Sequence, residues 1–135
     1  MNYRKKILGL IILLFFGNCI AAEIASEPCS SVQSSSQVDE CAANEYKAAD
    51  RSLNDVYKKV IEKIGVDYKV DTKLGSELLS ALKKAQQAWI KFRDTNCAVE
   101  SFEAEPGTAA HITATNICLT KMTNERIRAL DQMLK

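Results

Sequence analysis

Four cysteines (Cys29, Cys41, Cys97 and Cys118), one histidine (His111) and two neighbouring carboxylates (Glu103 and Glu105) are the residues of this 135-residue chain best suited to chemistry. The cysteines are an even set behind an N-terminus with export features, and an oxidising compartment would turn them into two disulfides. A zinc site would need all four distant thiolates, because no C-x-x-C pair exists and His111 is the only imidazole. No metal and no other cofactor is expected. His111 lies beside Pro106 and Gly107 and reads as an ordinary loop residue. Glu103 and Glu105 occupy the same loop without apolar cover to raise a pKa, so they form a solvated acidic patch and not a general acid–base pair. The chain contains no G-x-S-x-G, Walker A or H-E-x-x-H motif. Slender helices also enclose little concave volume for a substrate. These residues argue for a protein that is not an enzyme.

The N-terminus sets the compartment. Arg4, Lys5 and Lys6 precede an apolar run from Ile7 to Phe16, and small residues follow at Ala21 and Ala22. That order predicts a secretory signal peptide over residues 1–22. The run is short of the roughly 20 apolar residues that a spanning helix needs. Cys19, preceded by Gly17 and Asn18, offers a second outcome, a lipidated N-terminus that would tie the protein to a membrane. Otherwise a periplasmic or secreted protein is expected. Removing Arg4, Lys5 and Lys6 from the 18 basic residues leaves 15 against 17 acidic ones. A faintly acidic chain without a basic patch has no electrostatic footprint for nucleic acid.

Three helices should position the cysteines. Residues 23–36 are a Ser-rich polar arm containing Pro28, and the helical domain is expected over residues 37–135. Ser36 with Asp39 resembles a capping box at the start of the first helix. Its apolar stripe is Ala42, Tyr46, Ala49, Leu53, Val56, Tyr57, Val60 and Ile64, and Gly65 is a suitable terminator. The second helix should run from Thr72 to Phe102, with Asp71 as N-cap and a stripe of Leu78, Leu82, Ala85, Trp89, Phe92 and Val99. Pro106 and Gly107 then break the chain. The third helix, Thr113 to Leu134, carries Ile117, Met122, Ile127, Leu130 and Leu134. No segment alternates with period two. The fold class is therefore all-α, an antiparallel three-helix bundle stapled by disulfides. Cys41, Cys97 and Cys118 fall at one end of it. The pairing Cys29–Cys41 with Cys97–Cys118 is favoured, and Cys41–Cys97 competes. Each bridge would add about 2–4 kcal/mol.

The segment least like a generic helix is Ala85-Gln86-Gln87-Ala88-Trp89-Ile90-Lys91-Phe92-Arg93-Asp94-Thr95-Asn96-Cys97. Trp89 and Phe92 are expected to pack in the core. Arg93 and Asp94, as sequence neighbours, should point to different faces and not pair. Levelling Cys41 with Cys97 puts Arg93 near Glu45, as a buttressing ion pair. Gln86 lies at the stripe's edge and should bond across helices.

That segment is one of three blocks that together resemble a known family. The others are Ala49-Asp50-x-x-Leu53-Asn54-x-x-Tyr57 and Cys118-x-x-x-Met122-Thr123-x-x-Arg126-x-x-x-Leu130. In this order they are similar to the LprI family of secreted bacterial proteins, the lysozyme-inhibitor N-terminal-domain type, over Cys29 to Leu134. The resemblance implies an envelope inhibitor of lysozyme-type cell-wall hydrolases that blocks the target's cleft. Asp50, Leu53, Asn54, Tyr57, Gln86, Trp89, Phe92, Arg93, Asp94 and Arg126 are its motif residues, each explicable by packing, capping or pairing. The segment between helices two and three, with Glu100, Glu103, Glu105 and His111, is the candidate contact with the partner. It departs from the family, whose loop often carries adjacent glycines, because Glu105-Pro106-Gly107-Thr108 has only one. Two other readings stand beside inhibition. One is an envelope scaffold that binds through its long helical faces, where Lys58, Lys83 and Lys84 are exposed candidates. The other is an immunity protein against a secreted cell-wall-degrading toxin.

Overall fold

The structure, a computed structural model, describes residues 34–135. The expected signal peptide, Cys19, Cys29 and most of the polar arm lie outside the described residues. Three α-helices make up almost all of the rest, and no strand occurs among the described residues.

Helix α1 spans Ser35–Asp67. Its N-cap is Ser34, two residues before the expected Ser36, and the partner in the capping box is Gln37 rather than Asp39. The Gln37 backbone N–H donates to Ser34 Oγ (3.4 Å), while the Ser34 N–H donates to Gln37 Oε1 (3.0 Å). Ser36 is thus already helical. Gly65 does not stop the helix, which closes on Tyr68, whose N–H donates to the Ile64 carbonyl. The expected stripe faces inward: Ala42, Ala49, Leu53, Val60 and Ile64 are buried, and Tyr46, Val56 and Tyr57 are half-buried.

Helix α2 spans Thr72–Glu100 and starts where Asp71 caps it, its Oδ1 accepting from the Leu74 N–H (3.0 Å). Its inward face differs from the expected one. The buried residues are Gly75, Leu82, Gln86, Arg93 and Cys97, with Leu78, Leu79 and Trp89 half-buried among them. Ala85, Phe92 and Val99 point to solvent, with Phe92 58% and Val99 74% exposed. Counting back from buried Cys97 in steps of four, four, three, four and seven gives Arg93, Trp89, Gln86, Leu82 and Gly75, the period of a helix seam.

Helix α3 spans Ala109–Asp131 and passes into a short 3₁₀ turn, Gln132–Leu134. It begins four residues before the expected Thr113, because Thr108 Oγ1 accepts from the His111 N–H (3.3 Å) and caps the helix immediately after Gly107. His111 therefore sits in the first turn of α3 and not in the loop. Ile117, expected inside, is 54% exposed, while Met122 and Leu130 are buried and Ile127 and Leu134 pack against the cluster that holds Leu130.

The connections run the chain up, down and up. α2 is antiparallel to both neighbours, and α1 lies alongside α3 in parallel, with Asp39 accepting a hydrogen bond from Thr113 near both N-termini. Ala42 and Ala49 let those two backbones approach closely, and α1–α3 is the most extensive helix pair. One cluster of Leu53, Val60, Ile64, Leu82 and Leu130 fills the far end, and Cys97, Cys118 and Met122 form a second at the near end. Trp89 packs against both.

Gly75 is where α2 crosses the end of α1: a Cβ added there would stand 2.8 Å from Tyr68 Cβ. That neighbour is part of the Tyr68 stem and cannot swing away. Gly75→Ala should therefore cost about 1–3 kcal/mol through overpacking. A Cβ at exposed Gly65 would meet nothing within 4 Å. Gly65→Ala should accordingly gain about 0.5–1 kcal/mol from helix propensity. Urea denaturation of the two variants beside the parent checks both signs.

Candidate functional site

Two regions stand out: a polar layer inside the bundle and the turn that joins α2 to α3. The polar layer is built on Arg93, which is only 6% exposed. Its Nε and Nη2 both reach Asp94 Oδ1, at 2.9 and 2.8 Å. Nη1 donates to Thr123 Oγ1 at 3.4 Å and stands 3.9 Å from Asp50 Oδ1. Its guanidinium also lies over the Tyr46 and Trp89 rings, 5.6 and 5.2 Å from their centroids, within cation–π range.

Two expectations are corrected here. Arg93 does pair with Asp94, because facing rules describe where Cβ atoms point, and an arginine long enough to fold back reaches its own neighbour. Glu45 is not its partner. Tyr46 and Asp50, one turn apart on α1, face α2, whereas Glu45 is turned aside into an open groove between α1 and α3, with Ala48, Ser52, Thr120 and Asn124.

The family-like motif residues converge on this layer. Asn54 Nδ2 donates to Asp50 Oδ2 (3.2 Å) and to the Asp50 carbonyl (2.9 Å), holding the carboxylate that faces Arg93. Leu53 is in the apolar cluster. One level down, Gln86 Oε1 accepts from Arg126 Nε at 2.9 Å, so Gln86 bonds across helices. The Arg126 guanidinium lies 5.8 Å from the Trp89 centroid. Burial pulls the Arg126 pKa below its ordinary value, and Tyr57 opposes that shift. Phe92 alone among the motif residues stays outside. Thr123, fully buried and bonded to Arg93, belongs to the layer as much as any of them.

The turn of residues 101–108 rests on the other end. Cys97 and Cys118 form a disulfide across its base, with Cα atoms 5.5 Å apart. That bridge excludes the Cys41–Cys97 alternative. Cys41 is also disulfide-bonded, and its partner lies outside the described residues. Ser101 Oγ donates to the Cys97 carbonyl (2.9 Å) and stands 3.4 Å from His111 Nε2, so the histidine braces the junction. Within Glu105-Pro106-Gly107-Thr108 the Glu105 carbonyl accepts from the Thr108 N–H (3.1 Å). Gly107 has φ 86°, the positive value that a type II turn with proline at its second position assigns to glycine. Glu103 and Glu105 are exposed, and Glu100 accepts from Asn96 (2.9 Å) at the end of α2. Phe102, 83% exposed, stands at the head of the turn and not inside the second helix, where the apolar pattern puts it.

The three described cysteines are oxidised, and no cluster of three or more His, Cys, Asp or Glu able to hold a metal occurs among the described residues. Among them, no helix is long and apolar enough to cross a membrane.

A disulfide-clamped, up-down-up helical bundle with a charged layer in its seam defines a class of small scaffold that can present a braced turn. A profile of the family described as "Lysozyme inhibitor LprI" matches residues 28–130, and the chain belongs to that family. It is also similar to an uncharacterized protein of Rhizobium meliloti strain 1021, 32% identical over 126 residues, covering 87% of this chain and 88% of the other. The crystal structure of a DUF1311-family protein from Pseudomonas putida KT2440 has the same fold, with a TM-score of 0.66 and 29% identity. That match covers 72% of this chain and 90% of the other.

Arg93→Lys should destabilise the protein by about 1–3 kcal/mol, because an ammonium cannot replace the planar fork shared by Asp94, Asp50 and Thr123. Asp94→Asn should cost under about 1 kcal/mol, since that carboxylate is half in solvent. Chemical denaturation midpoints of the two variants give the comparison.

Proposed function

We propose that the protein acts outside the cytoplasm as an inhibitor of lysozyme-type cell-wall hydrolases, blocking the target's active-site cleft with the 101–108 turn. The observation that carries this reading is the construction of that turn. The Cys97–Cys118 bridge closes its base, and Phe102 stands 83% exposed beside Glu103 and Glu105. A turn already braced loses little conformational freedom on binding, so more of the contact energy is kept as affinity. An exposed aromatic ring is the kind of group that anchors an interface when it enters a pocket. The flanking carboxylates suit a basic partner and would speed encounter with it. Family membership supports the choice of target, a lysozyme or related muramidase. His111 contributes by bracing the turn rather than by touching the partner.

A second reading draws on a different observation. Phe92 and Val99 stand exposed on α2, away from the bundle's interior, and an envelope-binding protein that inhibits nothing would use such a helical face.

Inhibition is checked by lysozyme clearing of a cell-wall suspension in the presence of the oxidised, exported protein. Saturation near one-to-one and loss of inhibition on reduction are expected. Phe102→Ala should weaken inhibition roughly tenfold or more, the range of a hot-spot truncation. Glu103→Ala with Glu105→Ala should weaken it less and mainly at low salt. Full inhibition by a folded Phe102→Ala/Glu103→Ala/Glu105→Ala variant would remove the turn from the mechanism. A folded parent that inhibits no lysozyme would shift the weight to the α2 face.

A further inference from the structure

Trp89 carries two guanidiniums, and only one of them is paired with a carboxylate among the described residues. Arg93, 5.2 Å from the ring centroid, is balanced by Asp94 and Asp50. Arg126, 5.8 Å from the same ring, has a single hydrogen bond to a side chain, from Nε to the neutral Gln86 Oε1. No described carboxylate lies within ion-pair distance of it. Its Nη1 and Nη2 groups therefore form a planar fork without a side-chain partner among the described residues, at a half-buried position between α1, α2 and α3. Gln86 fixes the orientation of the fork from behind, and Trp89 supports its face. A partly desolvated cation without a counter-ion is costly, and that cost is recovered when an anion arrives. Burial also works against its charged form, with Tyr57 the only opposing influence.

We propose that Arg126, held by Gln86 and Trp89, is a binding site for a small organic carboxylate taken by its Nη1 and Nη2 groups. The fork matches the two oxygens of a carboxylate, and such bidentate pairs are the strong ones. The Trp89 ring beneath the fork suits a delocalised monoanion better than a strongly hydrated phosphate dianion. The carboxylate can belong to a sugar acid or to a peptide C-terminus, which present the same group. The site lies roughly 27 Å along α3 from the 101–108 turn, at about 1.5 Å per residue. It is therefore independent of whether the turn blocks a hydrolase.

The chain's single tryptophan makes the test direct, because Trp89 is the ring beneath the fork. The oxidised, exported protein is titrated with glucuronate and with N-acetylalanine while tryptophan fluorescence is followed. Glucose and N-acetylalanine amide serve as matched compounds without a carboxylate, and phosphate and chloride as inorganic anions. A saturable change is expected with a carboxylate, with a dissociation constant on the order of 1–10 mM for a lone bidentate pair. The matched neutral compounds should give none. A response to both carboxylates means that the group alone is read; a response to one assigns the source. Arg126→Lys keeps the charge but loses the fork and should bind at least about tenfold more weakly; Arg126→Gln should not respond. Should the glutamine variant not fold, the lysine variant decides. No saturable change in the parent, tighter binding of phosphate than of either carboxylate, or undiminished binding by folded Arg126→Lys would overturn the proposal.

Discussion

The bridge between Cys97 and Cys118 fixes the rotation of α2 about its own axis, and most of the interior follows from that one angle. With Cys97 turned inward, the helical period brings Arg93, Gln86 and Leu82 into the seam and turns Phe92 and Val99 out. A seam set this way must house an arginine and a glutamine, so the other helices have to supply their partners. α1 supplies Asp50, steadied by Asn54, and the Tyr46 ring; α3 supplies Thr123 and Arg126. No buried side-chain nitrogen or oxygen is left without a hydrogen-bond partner among the described residues. A charged group deep in a small protein is tolerable only on those terms.

The same arrangement divides the bundle along its length. Beyond Trp89, away from the cystine, the interior is aliphatic, and hydrophobic burial holds it together. Toward the cystine the interior is small, polar and cross-linked, with Ala42, Thr113, Ser101 and Met122 in place of large aliphatics. Hydrophobic burial is weak there, and covalent and hydrogen-bonded constraints do its work. That end also carries the 101–108 turn, which is therefore held by geometry rather than by a core beneath it. Trp89 packs against both clusters and so joins the two halves.

Much of this was legible in the residues. The α1 stripe, the Asp71 cap and the three-helix topology follow from periodicity and capping chemistry, and cysteine position favours the Cys97–Cys118 pairing while leaving Cys41–Cys97 open. What misled was α2, where hydrophobicity and register disagree. Ala85, Phe92 and Val99 are the apolar choices, yet the cysteine that must reach α3 dictates the neighbouring line of the helix. Counting back from Cys97 puts Arg93 and Gln86 on that line. The Ser34 cap was hidden for a different reason: Ser34, Ser35 and Ser36 are equivalent as types, and only the Gln37 side chain three residues on selects the first. Phe102 was masked by continuing α2 two residues past Glu100, where the Ser101 hydroxyl turns back to the Cys97 carbonyl.

Where the motif residues lie has a consequence for what the family signature means. Asp50, Leu53, Asn54, Gln86, Trp89, Arg93 and Cys97 all serve the seam, so a chain that keeps them keeps this scaffold. They are turned toward one another and leave little to meet a macromolecular partner. Recognition of a target must therefore rest on residues outside that set, and the exposed candidates are Phe102, Glu103 and Glu105 on the braced turn and Val99 on α2. Those positions can change with little consequence for the interior, because they contribute almost nothing to it. A scaffold of this kind can hold its fold constant while the surface that chooses a partner varies. Two members sharing every motif residue could thus differ in the partner they meet, and this chain's turn lies at the place where such divergence would act.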